Sequence, residues 1–177
     1  MATKSRFDHE PVTHAVAHHL VAIAELLEEY GYARVSDVAR RLGITRGSAS
    51  ITLKGLKQKG LVTDDDRRFL GLSDEGRAIT DSIRAKKAVM KDLFTRILRV
   101  EEAQAELDTC QVEHVISPDT ACRAQRLLDF VDSGANEVDS FFSAFREFTE
   151  ENGVCEEKDA SRKKARRKAR KKSGKKS

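Results

Sequence analysis

Glycines at positions 31, 43 and 60 divide the first sixty residues into three helical lengths. Glycine adopts left-handed backbone angles without steric cost, so it ends helices readily. Ahead of Gly31, the apolar residues Val16, Leu20, Ile23, Leu26 and Leu27 recur at helical spacing. They predict a helix from Val12 to Tyr30, behind an N-terminal arm of residues 1–12 that carries Pro11 near the helix start. RVSDVARRLGI then predicts a short helix with Ser36 as N-cap and Gly43 as its stop. TRGSASITLKGLKQKG predicts a third helix, with Ala49, Leu53 and Leu56 on its inner face and Gly60 at its end. Two short extended runs follow, LVT and FLGL, around a polar turn with Arg67 and Arg68 near the tip; they read as a β-hairpin. Three helices and a hairpin make a winged helix-turn-helix, and the few residues between the second and third helices suit that motif.

Small residues at 47–50 keep the front of the third helix slim enough to enter a groove. Arg46, Lys54 and Lys57 can reach phosphates, while Thr45, Ser48, Ser50 and Thr52 can meet base edges beside Gly47. With Arg34, Arg67 and Arg68 they form the predicted DNA-binding set. The expected partner is double-stranded DNA, with no membrane and no small-molecule substrate.

Charge supports a polyanionic partner. Residues 158–177 hold 12 Lys/Arg and one Asp, a net of +11, against a net of −7 for residues 1–157. This basic tail is expected to be disordered when free and to bind phosphate backbone without reading sequence. RNA, an anionic membrane surface or simple solubility are its rival uses. The three cysteines, at 110, 122 and 155, show no paired spacing, and the N-terminus has no apolar signal core. Both features predict a cytoplasmic chain with reduced thiols.

Beyond the hairpin, helices are expected over about Asp74–Leu98 and Glu101–Ile116. Another should run from Pro118 to about Val131, with Ser117 as N-cap. Val138, Phe141, Phe142, Phe145 and Phe148 then repeat at helical spacing as a packing stripe, expected between subunits. The fold class is mainly α. The expected domains are a winged helix over 1–73, a helical metal-binding and dimerisation region over 74–150, and the tail over 151–177.

Within the second region, Cys110, Glu113 and His114 fall at i, i+3 and i+4, which puts three metal-ligand types on one helix face. His14 and His18 are also i, i+4, on the first helix. Packing of those two helices would gather imidazole, thiolate and carboxylate around one divalent ion.

LLEEYGYARVSDVARRLGITRGSASITLKGLKQKGLV, LSDEGR and CQVEHVISPDT together resemble the diphtheria-toxin-repressor family of metal-dependent transcriptional regulators, from about Ala17 to Val131. The resemblance implies a homodimer that binds operator DNA when one divalent metal per subunit is bound. It assigns the metal site to His18, Cys110, Glu113 and His114, with His14 or His19 as alternates for His18. Fe²⁺ is the first choice, since the family's cysteine branch senses iron; Zn²⁺, Co²⁺ and Mn²⁺ follow. Two departures are expected. No SH3-like domain follows, and the family's ancillary metal site is replaced, because its matching positions are Lys87, Lys91 and Glu106. Protonated lysines cannot ligate a cation, so an ion pair from Lys87 or Lys91 to Glu106 is expected there. Two rival readings are a metal-independent DNA-coating architectural protein and a zinc hydrolase with Glu113 as base. No substrate-pocket motif supports the second, so no enzyme is expected.

Overall fold

The structure, a computed structural model, describes residues 12–152. The N-terminal arm up to Pro11, the basic tail and Cys155 lie outside the described residues. The element order is α1 (His14–Tyr30), α2 (Val35–Arg41), α3 (Arg46–Gln58), β1 (Val62–Asp64), β2 (Leu70–Leu72) and α4 (Asp74–Asp92). A π-helical turn over Leu93–Ile97 follows, then α5 (Glu102–Val112), α6 (Pro118–Asp132) and α7 (Asn136–Asn152). The described residues are mainly helical, with one small antiparallel hairpin that pairs Val62 with Leu72 and Asp64 with Leu70. This is a winged helix-turn-helix followed by a helical region. Residues up to Asp129 form one compact unit and those from Phe130 a second.

The winged-helix core is built from the faces that apolar spacing marks. Leu20 and Ile23 of α1, Val38 of α2, and Leu53 and Leu56 of α3 are almost fully buried, and Leu70 of β2 closes the cluster. Each fully buried Leu or Ile contributes roughly 1.5–3 kcal/mol of transfer free energy. Local caps set the ends. Thr13 accepts from the Val16 amide and Thr45 from the Ser48 amide, and Gly31 ends α1 at φ 76°. The wing tip is shaped by Asp65, whose carboxylate accepts from the Arg67 and Phe69 amides, with Arg68 held at φ 61°. Ser73 caps α4 and bonds the Leu61 carbonyl. A Cβ at Gly76 would lie 2.0 Å from that carbonyl oxygen, so only glycine lets α4 start this close to the wing.

Three local expectations are corrected. Ser36 is not the N-cap of α2. Arg34 is, two residues earlier, because its carbonyl accepts from both Asp37 and Val38 amides while the Ala33 carbonyl is tied to the Leu70 amide. The helix expected to reach Leu98 changes geometry at Leu93: the Leu98 amide bonds the Leu93 carbonyl, and the Thr95 hydroxyl takes up the Lys91 carbonyl. The helix expected to reach Ile116 ends at Val112. Pro118 disfavours helical backbone at Ser117, which instead caps α6 through the Thr120 amide.

In the second unit, Phe141 and Phe145 of α7 stack with ring centroids 6.1 Å apart, and Phe141 and Phe148 stay more than half exposed. The aromatic stripe is therefore largely open within one chain.

Candidate metal centre and DNA-reading surface

The first two turns of α1 project His14 and His18 on one side, their rings 4.1 Å apart. The C-terminal half of α5 brings Cys110 to the same point. Its Sγ lies 3.3 Å from His18 Nε2 and 3.7 Å from His14 Nε2, and the three ligand atoms lie within 4.8 Å of one another. Tetrahedral coordination at ordinary metal–nitrogen and metal–sulfur lengths sets ligand atoms about 3.4–3.8 Å apart. The Cys–His separations are close to that spacing.

Glu113 and His114 stand beside this group, just past the end of α5. His114 meets the His14 ring edge-on at 5.0 Å. Glu113 is only 4% exposed and lines a cavity of about 250 Å³ together with His18 and Lys87. Glu113 Oε2 and His114 Nδ1 are buried without a hydrogen-bond partner. Buried polar atoms normally have one, so two unsatisfied ligand-type atoms beside the Cys–His group fit a centre built to receive a cation. His19 is not brought to the group: it is buried, and its Nδ1 donates to the Ala15 carbonyl at 2.6 Å.

The electrostatics favour a site with little charge of its own. Burial, then the neighbouring His14 and Lys87, lower the His18 pKa, and burial, then His14, lower that of His114. Burial and Glu113 push the Cys110 thiol up. Burial raises the Glu113 carboxyl to about 7, with Lys87 opposing and Glu106 assisting. His18 and His114 are thus biased toward neutral imidazoles ready to donate lone pairs, while the Cys110 thiol and Glu113 carboxyl hold their protons more tightly, so that a cation would compete with protons there.

Along the same face of α5, one and two turns before Cys110, lies an ion-pair lattice to α4. Lys87 Nζ is 2.5 Å from Glu106 Oε1, and Lys91 Nζ is 3.2 Å from both Glu106 Oε2 and Glu102 Oε1. Glu102 is a member that sequence reading missed; its i, i+4 spacing to Glu106 was the available signal.

The predicted DNA-binding residues divide into free and engaged. Arg46, Gly47, Ser50, Lys54, Arg67 and Arg68 are exposed. Thr45 and Ser48 bond each other at the α3 cap, and Thr52 donates to the Ser48 carbonyl. Lys57 pairs with Asp64 of β1 at 2.5 Å and so ties the wing to α3. Arg34 lies over the Phe69 ring at 4.7 Å and near Tyr32 at 5.9 Å, fixing it at the base of the wing. Ile51, 77% exposed on the outward face of α3, is a further candidate that sequence reading missed. An apolar residue out of phase with Ala49 and Leu53 was the signal, and such a side chain can meet a thymine methyl.

Comparison with known proteins points the same way. Residues 73–135 match the family described as iron dependent repressor, metal binding and dimerisation domain, and residues 12–68 match the MarR family. The chain is 28% identical over 127 residues to the HTH-type transcriptional regulator MntR of Shouchella clausii, covering 72% of this chain and 88% of that one. It is 29% identical over 113 residues to the diphtheria toxin repressor of Corynebacterium efficiens, covering 64% and 49%. In fold it resembles T. acidophilum IdeR at a TM-score of 0.57 and 20% identity, covering 68% of this chain and 56% of that chain. It therefore spans about half the length of the latter two. No helix among the described residues is long and apolar enough to cross a membrane. Two family matches laid end to end, a MarR-type helix-turn-helix and then the metal-binding and dimerisation domain of iron dependent repressors, make the chain similar to the metal-dependent transcriptional regulators of the diphtheria-toxin-repressor family, which are regulators and not enzymes.

Proposed function

We propose that the protein is a cytoplasmic, dimeric repressor that binds operator DNA when a divalent transition metal, Fe²⁺ first, occupies the Cys110 centre. The observation that carries this reading is the approach of Cys110 Sγ to His18 and His14 at 3.3 and 3.7 Å across two helices. His18, Cys110, Glu113 and His114, with His14 beside them, would hold the ion, which supplies the positive charge that thiolate and carboxylate share. Cys with imidazoles suits Fe²⁺, Zn²⁺ or Co²⁺ better than hard Mn²⁺.

The chain's own residues explain why such a grip would matter. Leu20, Ile23 and Leu26 root α1 in the winged-helix core, while His14 and His18 sit at the other end of the same helix. Cys110 belongs to the helical region. Holding the two together fixes the reading head relative to the dimer, so that two α3 helices can meet half-sites in successive major grooves. On α3 and the wing, Arg46, Lys54, Arg67 and Arg68 would contact phosphates, with Ser50 and Ile51 at base edges. Thr45, Ser48, Thr52, Lys57 and Arg34 would act mainly by holding that surface in shape. The ion must favour the DNA-competent arrangement, or occupancy shifts nothing.

The test is a DNA-binding isotherm for the full chain, with Fe²⁺ under anaerobic conditions and after exhaustive chelation. Chelation should weaken operator binding by about 5–150-fold, the usual span of an allosteric coupling. Equal affinity in both states would overturn the switch and favour a metal-independent DNA-coating role.

A further inference from the structure

The outward face of α3 carries an apolar side chain that the core does not use. Ile51 is more exposed than any phenylalanine of the α7 stripe, and it points away from the buried Ala49, Leu53 and Leu56. Its neighbours on the helix surface, three and four residues away, are Gly47, Ser48, Lys54 and Gly55. Two of these have no side chain. Ser48 is short, and its hydroxyl is tied to Thr45 at the cap. Only Lys54 is long, so Ile51 stands as a lone knob with low ground on either side.

Nothing in the fold asks for those two glycines. Neither has a positive φ. A Cβ at Gly55 would meet nothing within 4 Å, and one at Gly47 would meet only the Thr45 hydroxyl oxygen at 3.8 Å, an ordinary contact. Glycine inside a helix is also less favourable than alanine. What the glycines do is keep side chains out of the space around Ile51, so that a surface outside the chain can approach the helix backbone there. The charges say which surface. Arg46 and Lys54 lie exposed along α3 before and after the knob, and Arg67 and Arg68 are exposed at the wing tip. An apolar knob among cations suits a polyanion with methyl groups in a groove. Duplex DNA is one, since its major groove presents the C5-methyl of thymine.

We propose that Ile51 reads one thymine per half-site by its methyl group alone, and that Gly47 and Gly55 let α3 sit deep enough in the groove to touch it. The proposal rests on the operator binding argued above and adds what the operator must contain. Isoleucine has no side-chain donor or acceptor, so it cannot tell base edges apart by hydrogen bonds. Among the four bases only thymine offers it a methyl group. The hydroxyls beside it are already engaged: Thr45 and Ser48 bond each other, and Thr52 donates to the Ser48 carbonyl. Apolar contact is therefore what the central turns of α3 have to offer at this point.

The experiment deletes that methyl and nothing else. The full-length chain selects duplexes from a random-sequence pool, with Fe²⁺ under anaerobic conditions and separately after chelation, and the enriched duplex becomes the probe. Each thymine in it is replaced in turn by deoxyuridine, which lacks only the C5-methyl. Fluorescence anisotropy then compares wild type with Ile51→Ala and Ile51→Ser. In wild type, one replacement per half-site should weaken binding by about fourfold, the weight of one buried CH₂ group. Both variants should bind the thymine probe more weakly than wild type and no longer distinguish it from the deoxyuridine probe. At the same position cytosine should bind wild type poorly, and 5-methylcytosine, which shows the same methyl, should recover part of the loss in wild type only. If every deoxyuridine probe binds like the parent, or if the methyl effect persists in the variants, Ile51 does not read thymine and operator binding stands. If no duplex is enriched under either condition, operator binding falls and this proposal with it. Either variant alone decides the question, so a folding failure in one does not protect the proposal.

Discussion

Helix α5 is fastened to two neighbours by different means. Toward α1 the contact consists of His14, His18 and Cys110, whose neighbours Glu113 and His114 retain unsatisfied buried atoms. Toward α4 it consists of Lys87 and Lys91 against Glu106 and Glu102, complete without any added ion. A contact that the chain completes by itself holds its geometry whatever the surroundings. Under the proposed function, the α1–α5 joint is the one that reports on metal, because there a bound ion would change what the side chains can satisfy.

Removing the thiolate should have the largest effect on that joint. Cys110→Ala takes away the one ligand that faces both histidines, so ion binding should weaken by at least about a thousandfold, given that changes outside the ligand set already cost 10–100-fold. Competition with a colorimetric chelator would measure it. A variant that kept wild-type affinity would show that the α1–α5 group is ordinary packing.

A second effect concerns the metal-free chain. Burial raises the Glu113 carboxyl from its ordinary 4.5 to about 7, so the folded chain binds that proton more tightly than the unfolded one. The stability this proton confers is fully present below about pH 4.5 and is lost as pH rises through about 7. The span corresponds to roughly 3 kcal/mol as an upper bound. Urea denaturation of metal-free protein at pH 5 and pH 8 should find it less stable at pH 8, and Glu113→Gln should flatten that difference. An unchanged slope in the variant would mean that another group supplies it.

The regions of the molecule also differ in how much of each could be read from the sequence. The inner face of α3 was legible because Ala49, Leu53 and Leu56 repeat at helical spacing, and all three are buried. The ligand types were legible from i, i+3, i+4 spacing, which survives although α5 stops at Val112 and leaves Glu113 and His114 in the turn. Which N-terminal histidine approaches Cys110 was not legible, since both His14 and His18 do and the phase of α1 decides it. The early start of α2 depends on the Leu70–Ala33 backbone bond, a contact between segments far apart in sequence. The π-turn at Leu93 carries no proline or glycine to announce it. There the Thr95 hydroxyl donates to the Lys91 carbonyl and the Leu98 amide to the Leu93 carbonyl five residues back.

The smallest effect is expected at the α4–α5 lattice. Glu106 is nearly half exposed and receives two ammoniums, which hold its carboxyl below the usual range. Glu106→Gln keeps the side-chain shape and removes the charge. Because exposed pairs contribute at most about 1 kcal/mol, metal-activated DNA affinity should fall by no more than roughly fivefold. One bound ion should remain, since none of the proposed ligands is altered. The loss should also shrink at high salt, where screening already weakens the wild-type pairs. Fluorescence anisotropy on operator DNA at low and high salt, alongside metal analysis, separates the two joints. If Glu106→Gln released the ion, the lattice would be part of the metal centre rather than a fixed brace. If it left DNA affinity untouched at low salt, α5 would be positioned by its packing alone, and the lysines would serve only to neutralise charge.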